Sequence, residues 1–124
     1  MRETLSVDKD VVILVVDDEA FVLRFMLHIL RDAGFSVLGA RSINEAMRVC
    51  RDKPPDLVIT DLKLGRSNEG NDLIAWLKEN CPGVPCMLMT GYSVDDKDSC
   101  DVIYKPFTPA QVVARIRQKL SSNA

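Results

Sequence analysis

The sequence predicts an α/β domain built on a parallel sheet, and two observations support this prediction. Short apolar runs rich in Val, Ile and Leu alternate along the chain with longer segments whose apolar residues recur every three or four positions. Glycines, prolines and helix-capping residues separate the two kinds of segment. This alternation is typical of strands that are buried on both faces of a sheet and connected by helices that cover it.

The first strand and the first helix are predicted near the amino terminus. Val11–Val16 is a continuous apolar run, mostly β-branched, and it has no helical period. Ala20–Ala33 follows, and a glycine then provides the C-terminal cap of a helix. Within that helix, Phe21, Phe25 and Ile29 recur at four-residue spacing. We therefore expect these side chains to mark its apolar face.

The second strand, the second helix and the third strand come next. Ser36–Ala40 is a short strand candidate. Ser42 and Glu45 have the spacing of a capping box, in which each side chain satisfies a free amide of the first turn, and this opens a helix that runs to about Arg51. Two prolines end that helix, and the buried run Leu57–Thr60 follows as the third strand.

The second half of the chain repeats the pattern less regularly. A glycine-rich loop, a helix, two strands and a final helix are predicted over Gly65–Gly70, Asp72–Glu79, Cys86–Met89, Val102–Tyr104 and the carboxyl-terminal segment. Thr108 and Gln111 form a second capping box, and Pro109 stands at the first helical position. The predicted order therefore places five parallel strands in one sheet, with right-handed crossovers that put helices on both faces.

Length and composition predict a single domain over residues 1–124, with its core between about 10 and 120. Hydrophobic residues make up 47% and charged residues 27%, and the formal net charge is −2. No basic stripe, apolar leader or membrane-length run is present, so we expect a cytoplasmic protein that binds neither nucleic acid nor membrane. The four cysteines lack the spacing of a zinc site, and we interpret them as reduced thiols.

Polar side chains follow four of the predicted strands, at the point where each strand ends. Asp17 and Asp18 come after the first strand, Asp61 after the third, Thr90 after the fourth and Lys105 after the fifth. Because the carboxyl ends of parallel strands meet at one edge of a sheet, these residues should converge there. That edge is where open α/β sheets bind their ligands.

This set of groups is suited to phosphoryl transfer. Three neighbouring carboxylates repel each other unless a cation balances them, and oxygen ligands of this kind favour Mg²⁺. Lys105 adds a second positive charge, and Thr90 adds a hydrogen-bond donor. Together these groups would allow Asp61 to attack a phosphoryl group in line while its charge is neutralised.

Four sequence blocks resemble the response-regulator receiver domain of bacterial two-component systems. The blocks are Val15-Val16-Asp17-Asp18-Glu19, Ile59-Thr60-Asp61-Leu62, Met87-Leu88-Met89-Thr90-Gly91 and Tyr104-Lys105-Pro106-Phe107-Thr108. The similarity covers about residues 10 to 120, nearly the whole chain. It implies a flavodoxin-like, doubly wound sheet of five parallel strands in the order 2-1-3-4-5.

The resemblance also implies a role for each residue of the metal site. Asp61 would be the phosphoacceptor. Asp18, Asp61 and the backbone carbonyl of Lys63 would bind Mg²⁺ directly, and Asp17 would act mainly through water.

The same resemblance assigns the other side of the pocket. Thr90 would be the switch hydroxyl that moves to a phosphoryl oxygen. Lys105 would pair with the phosphoryl group, and the bond between Lys105 and Pro106 would be cis. Gly91 would leave space beside the phosphoryl group.

Departures from the family pattern concern signal output. Val102 occupies the position where the family usually has an aromatic switch residue. Only 14 residues separate Thr90 from Lys105, which predicts a shortened or degenerate fourth helix. We expect phosphorylation to order or reorient the segment Gly91–Asp101, with Tyr92 exchanging environments.

The function predicted from the sequence is that of a phosphoacceptor that signals by phosphorylation-dependent contact with an output protein. Its donor would be a histidine kinase or a histidine phosphotransfer protein. Such a domain catalyses its own phosphorylation and dephosphorylation without being a conventional enzyme. Two alternatives remain: an excised receiver of a hybrid histidine kinase, and a non-phosphorylated pseudo-receiver that acts as a binding module. A haloacid-dehalogenase-type phosphatase is disfavoured, because Lys63 stands where a second aspartate is needed.

Overall fold

Five parallel strands form the centre of the protein in a computed structural model that describes residues 10–64, 69–91 and 101–122. The strands are β1 Val12–Val16, β2 Ser36–Ala40, β3 Leu57–Asp61, β4 Cys86–Thr90 and β5 Asp101–Tyr104. They are arranged in the order β2-β1-β3-β4-β5, as predicted. The chain places β2 on one side of β1, and it then places β3, β4 and β5 on the other side. The direction in which strands are added to the sheet therefore reverses between β1 and β3.

Helices cover both faces of this sheet. Over the described residues they are α1 Ala20–Asp32, α2 Ile43–Asp52, α3 Glu69–Asn80 and α4 Pro109–Ser122. Successive side chains of β1 point to opposite faces: Ile13 and Val15 join one apolar cluster, and Leu14 and Val16 join another. The first cluster contains residues of α1 and α4, and the second contains residues of α2 and α3. The fold is therefore the doubly wound α/β architecture that the sequence predicts.

The strand register aligns the carboxyl ends of the four strands that carry the candidate site residues. Val16 pairs with Thr60, so Asp17 and Asp61 leave the sheet side by side. Thr90 is the last residue of β4 and pairs with Tyr104, which immediately precedes Lys105. One edge of the sheet thus presents these side chains together.

Both predicted helix caps form, with one difference in geometry. Before α4, the Gln111 N–H donates to Thr108 Oγ1 at 3.2 Å, and the Thr108 N–H donates to Gln111 Oε1 at 2.8 Å. Before α2, the Glu45 N–H donates to Ser42 Oγ at 3.1 Å. Glu45 Oε1, however, accepts from the N–H of Arg41, one residue before the expected partner, at 2.7 Å.

The predicted apolar face of α1 was wrong at two positions. Phe21 is 83% exposed and Phe25 is 47% exposed, so neither belongs to the core. The helix buries Leu23, Met26, Ile29 and Leu30 instead. Most positions of α1 are apolar, and hydrophobicity alone therefore defines no single stripe.

The prediction of α3 was also incomplete. The helix begins at Glu69, so Gly70 lies inside it and not in a preceding loop. Trp76 on this helix is only partly buried, and the Arg51 guanidinium lies 5.3 Å from the centre of its ring. The long side chain of arginine covers the indole at the rim of the second cluster.

Most of the segment Gly91–Asp101 lies outside the described residues. The expectations for a shortened fourth helix and for Tyr92 therefore stay predictions. Val102 is partly buried and packs against the second apolar cluster. Within the described ranges, Cys50, Cys81 and Cys86 form no disulfide, and no helix is long and apolar enough to cross a membrane.

Candidate functional site

A pocket of about 580 Å³ opens at the carboxyl edge of the sheet, beside the point where the strand order reverses. Its lining is mostly ionisable and consists of Asp18, Glu19, Asp61, Lys63, Thr90, Gly91 and Lys105. Except for Glu19, each of these residues was singled out from the sequence. The fold thus brings them together in the predicted place.

Asp17 forms the buried floor beside this pocket. Its N–H donates to the Ala40 carbonyl at 3.0 Å, which fixes the backbone at the end of β1. Its Oδ1 accepts the N–H of Glu19 at 2.9 Å, whereas its Oδ2 is buried and has no hydrogen-bond partner in the described part of the chain. A buried carboxylate oxygen without a donor is costly, and it calls for a cation or a proton.

The electrostatics of Asp17 agree with this geometry. Burial raises the pKa of the Asp17 carboxyl from 3.8 to about 6, the Glu19 N–H lowers it, and the neighbouring Asp61 raises it further. The positive charge of Lys105 lowers the pKa of Asp17. Near pH 7 this carboxyl is therefore ionised at a cost in stability, which a bound cation would relieve.

Asp61 is the last residue of β3 and lies 7% exposed at the base of the pocket. Its Oδ2 is 3.3 Å from Lys105 Nζ, and its Oδ1 accepts the N–H of Lys63 at 3.3 Å. The Thr60 hydroxyl donates to the Asp61 carbonyl at 3.0 Å and holds the backbone at this turn. The carboxylate is thus oriented by one cation and one backbone amide.

Lys105 and Thr90 form the opposite wall. The Lys105 N–H donates to the Thr90 carbonyl at 2.8 Å, which joins the ends of β4 and β5. The peptide bond between Lys105 and Pro106 is cis, as the resemblance implied. Thr90 is 1% exposed and lines the inner wall of the pocket.

The residues of this pocket fit a divalent cation. One carboxylate oxygen each from Asp17, Glu19 and Asp61 lie within 4.8 Å of one another. Hard oxygen donors of this kind are the ligands that Mg²⁺ prefers, and the unpartnered Asp17 Oδ2 is one of the oxygens that need a positive neighbour. Asp18 lines the same pocket but is not one of these three, so the direct ligand roles of Asp18 and of the Lys63 carbonyl stay predictions.

Sequence reasoning missed two residues of this region. Glu19 was noted only as the last residue of the first sequence block, and its proximity to Asp61 depends on the turn after β1. Gly70 was assigned to a loop, yet its N–H donates to the Leu62 carbonyl at 2.9 Å. A Cβ there would meet the Asp61 carbonyl oxygen and would lie 2.8 Å from Leu62 Cα. A glycine within a helix that follows a strand by a few residues is the one signal that could have indicated this close approach.

The close approach at Gly70 predicts a stability effect. Gly70→Ala should lower the melting temperature by roughly 5 to 10 °C, because overpacking costs about 1–3 kcal/mol and the contacted atoms are backbone. Gly83→Ala is the matched control, since a Cβ there meets nothing within 4 Å. Thermal unfolding followed by circular dichroism would measure both. Equal melting temperatures for the two variants would contradict the account of Gly70.

Sequence comparison with known proteins matches most of the chain. A sequence model of the response regulator receiver domain matches residues 13–117. The chain is 36% identical over 118 residues to the DNA-binding response regulator MtrA of Mycolicibacterium paratuberculosis, covering 90% of this chain and 52% of that protein. It is 33% identical over 117 residues to the alginate biosynthesis transcriptional regulatory protein AlgB of Pseudomonas aeruginosa, covering 89% and 26%. The chain thus spans about half the length of MtrA and about a quarter of the length of AlgB.

Solved structures show the same similarity over whole chains. A CheY-like response regulator receiver domain protein from Methanospirillum hungatei superposes with a TM-score of 0.83 at 26% identity, covering 91% of this chain and 95% of that one. The receiver domain of NtrX from Brucella abortus gives a TM-score of 0.80 at 27% identity, covering 88% and 98%.

Proposed function

The chain belongs to the response regulator receiver family of two-component signalling, and from that premise we propose that Asp61 accepts a phosphoryl group in a Mg²⁺-dependent reaction. The observation that supports this most strongly is the setting of Asp61. Its carboxylate lies at the base of the pocket, 3.3 Å from the Lys105 ammonium and beside the buried carboxylate of Asp17. The donor is a phosphohistidine of a histidine kinase or of a histidine phosphotransfer protein.

The transfer exchanges one bond to phosphorus for another. A carboxylate oxygen of Asp61 forms a P–O bond while the P–N bond to the donor imidazole breaks, and the leaving nitrogen takes up a proton. The Lys63 N–H on Oδ1 restrains rotation of the carboxylate, so an oxygen stays directed into the pocket. A bound Mg²⁺ would neutralise charge on the phosphoryl oxygens, held by Asp61, Asp17 and the neighbouring acidic residues.

Lys105 and Thr90 stabilise the group that is transferred. The Lys105 ammonium lies 3.3 Å from Asp61 Oδ2 and is partly exposed, so it can follow the new phosphoryl oxygens without leaving the pocket. Thr90 has a hydroxyl at the buried end of β4 that can donate to the same group. Its backbone bond to Lys105 couples the two, so a movement of Thr90 is transmitted to the end of β5.

The output that we propose is phosphorylation-dependent contact with another protein or with a further domain. Such contact includes onward transfer to a histidine phosphotransfer protein if this receiver works within a hybrid histidine kinase. In each case the change begins at Asp61 and reaches the surface through the ends of β4 and β5.

Incubation with acetyl phosphate tests this proposal without the cognate kinase. With Mg²⁺ we expect the intact mass to rise by one phosphoryl group, and with a chelator we expect no change, because the acidic residues then lack their counter-charge. Asp32→Asn serves as the control variant and should be labelled like the wild type, since Asp32 is exposed at the end of α1, away from the pocket. Equal incorporation with and without Mg²⁺ would contradict the metal-dependent reaction.

A further inference from the structure

Two cysteines lie at neighbouring helix ends on the face of the sheet that α2 and α3 cover. Cys50 is in the last turn of α2, and Cys81 directly follows α3. Both side chains pack in the same apolar cluster, where Cys50 is 1% exposed and Cys81 is partly buried. The Arg51 guanidinium, next to Cys50 in the chain, lies 5.3 Å from the ring centre of Trp76 on α3. The carboxyl-terminal parts of the two helices are therefore side by side.

The backbone holds Cys81 against this cluster. Its N–H donates to the Leu77 carbonyl at 2.7 Å, which continues the helical hydrogen-bond pattern by one residue. Its carbonyl accepts the N–H of Val84 at 3.0 Å, which closes a turn. Leu77 is 1% exposed in the same cluster. Cys81 is thus fixed on both sides, with its side chain at the margin of the core that contains Cys50.

The electrostatics of Cys50 indicate that the two sulfur atoms are near each other. Burial and, to a smaller extent, the neighbouring Cys81 raise the pKa of the Cys50 thiol from 9.0 to about 11. At neutral pH Cys50 is therefore a protonated thiol that is shielded from solvent. Cys81 is partly exposed, so an oxidant in solution meets Cys81 first.

Metal binding is the other chemistry that clustered cysteines perform, and the geometry does not favour it. A structural thiolate site needs four ligands around one ion. Within the part of the chain that the structure describes, the one group of three ligand atoms within 4.8 Å of one another consists of carboxylates. Cys86, the third described cysteine, therefore does not form such a group with Cys50 and Cys81. The pair is better suited to oxidation.

We propose that Cys50 and Cys81 are a redox-active pair, in which a hydroperoxide oxidises Cys81 and the two residues then form a disulfide. The Cys81 thiolate attacks one peroxide oxygen and the O–O bond breaks. This leaves a sulfenic acid on Cys81 and a hydroxide or alkoxide that takes up a proton. The Cys50 sulfur then bonds to the Cys81 sulfur, the S–O bond breaks, and the hydroxide leaves as water with the Cys50 proton. The two thiols lose two electrons in total, and the peroxide gains them.

This bond would join α2 to α3. The two cysteines are 31 positions apart in the sequence, and the loop that the bond closes contains β3 and α3. A crosslink of this length restricts the unfolded chain and stabilises the fold. Neither thiol takes part in phosphoryl transfer to Asp61, so the inference goes beyond the proposed function and does not depend on it.

Oxidation of the reduced protein with equimolar hydrogen peroxide tests the proposal. After the remaining thiols are alkylated in denaturant, peptide mass mapping should identify a disulfide between Cys50 and Cys81. We expect the melting temperature to rise by roughly 5 to 15 °C, and dithiothreitol should reverse the rise. The fluorescence of Trp76, the only tryptophan of the chain, should fall on oxidation, because a nearby disulfide quenches indole emission.

Two variants separate this pair from the other cysteines. Cys81→Ser should lose both the disulfide and the rise in melting temperature, whereas Cys86→Ala is the matched control and should keep both. Circular dichroism checks that each variant is folded, and mapping of the wild type decides the question even if one is not. A disulfide that includes Cys86 or Cys100 in place of Cys50 would overturn the proposal. Four alkylated thiols after oxidation, or Cys81 oxidised without a partner, would overturn it as well.

Discussion

Lys105→Met is expected to slow phosphorylation of Asp61 by acetyl phosphate about a hundredfold. The Lys105 ammonium is 3.3 Å from Asp61 Oδ2, and a preorganised donor placed against developing charge commonly accounts for about a hundredfold in rate. Methionine fills a similar volume without the charge. The initial rate of mass increase at saturating Mg²⁺ measures the effect.

Two further measurements distinguish a role of Lys105 in the transfer from a structural one. Lys53→Met, at the exposed end of α2, should leave the rate unchanged. Mg²⁺ should bind the Lys105→Met variant as tightly as wild type or more tightly, because a positive charge has left the pocket. A wild-type rate in Lys105→Met would contradict the role given to this residue.

Asp17→Asn is expected to raise the melting temperature of the metal-free protein by roughly 5 to 10 °C at pH 7.5. The pKa of Asp17, raised by burial from 3.8 to about 6, means that the ionised folded form costs on the order of 2 to 3 kcal/mol. Asparagine removes the charge, and its amide oxygen can still accept the Glu19 N–H. The same variant should lose most of the stabilisation by Mg²⁺.

The pH dependence of stability follows from the raised pKa of Asp17. Between about pH 4 and 6 the folded protein holds the Asp17 proton more tightly than the unfolded chain does, so this group destabilises the fold increasingly as the pH rises through that range. The difference in melting temperature between variant and wild type should therefore be largest above pH 7 and should shrink toward pH 4. Asp32→Asn is the control variant, because it removes the charge of an acidic residue that is exposed. A lower melting temperature for metal-free Asp17→Asn at pH 7.5 would refute this account.

The strand predictions were confirmed, and the predicted site residues lie together, because both depend on local patterns and one topological rule. Asp17, Asp61, Thr90 and Lys105 each follow an apolar run, and a parallel sheet brings the ends of such runs to one edge. No long-range information was needed to place them together.

Predictions that depend on which face of a helix is buried were weaker. Phe21 and Phe25 have helical spacing, but α1 has apolar residues on nearly every side, and contact with the sheet selects Leu23 and Met26 instead. The constraint on Gly70 is a backbone contact with Leu62, outside its own helix, and its only local sign is a glycine within a helix that follows a strand. The position of the Glu19 carboxylate likewise depends on the turn between β1 and α1, which hydrophobic periodicity does not describe.

Locating the phosphoryl group within the chain tests the central claim most directly. After labelling with acetyl phosphate and Mg²⁺, borohydride reduction converts an aspartyl phosphate to homoserine, and peptide mass mapping identifies the modified position. We predict homoserine at residue 61 alone in the wild type, and none in Asp61→Asn. Homoserine at another aspartate in the wild type, or full labelling of the Asp61→Asn variant, would contradict the assignment of Asp61 as the phosphoacceptor.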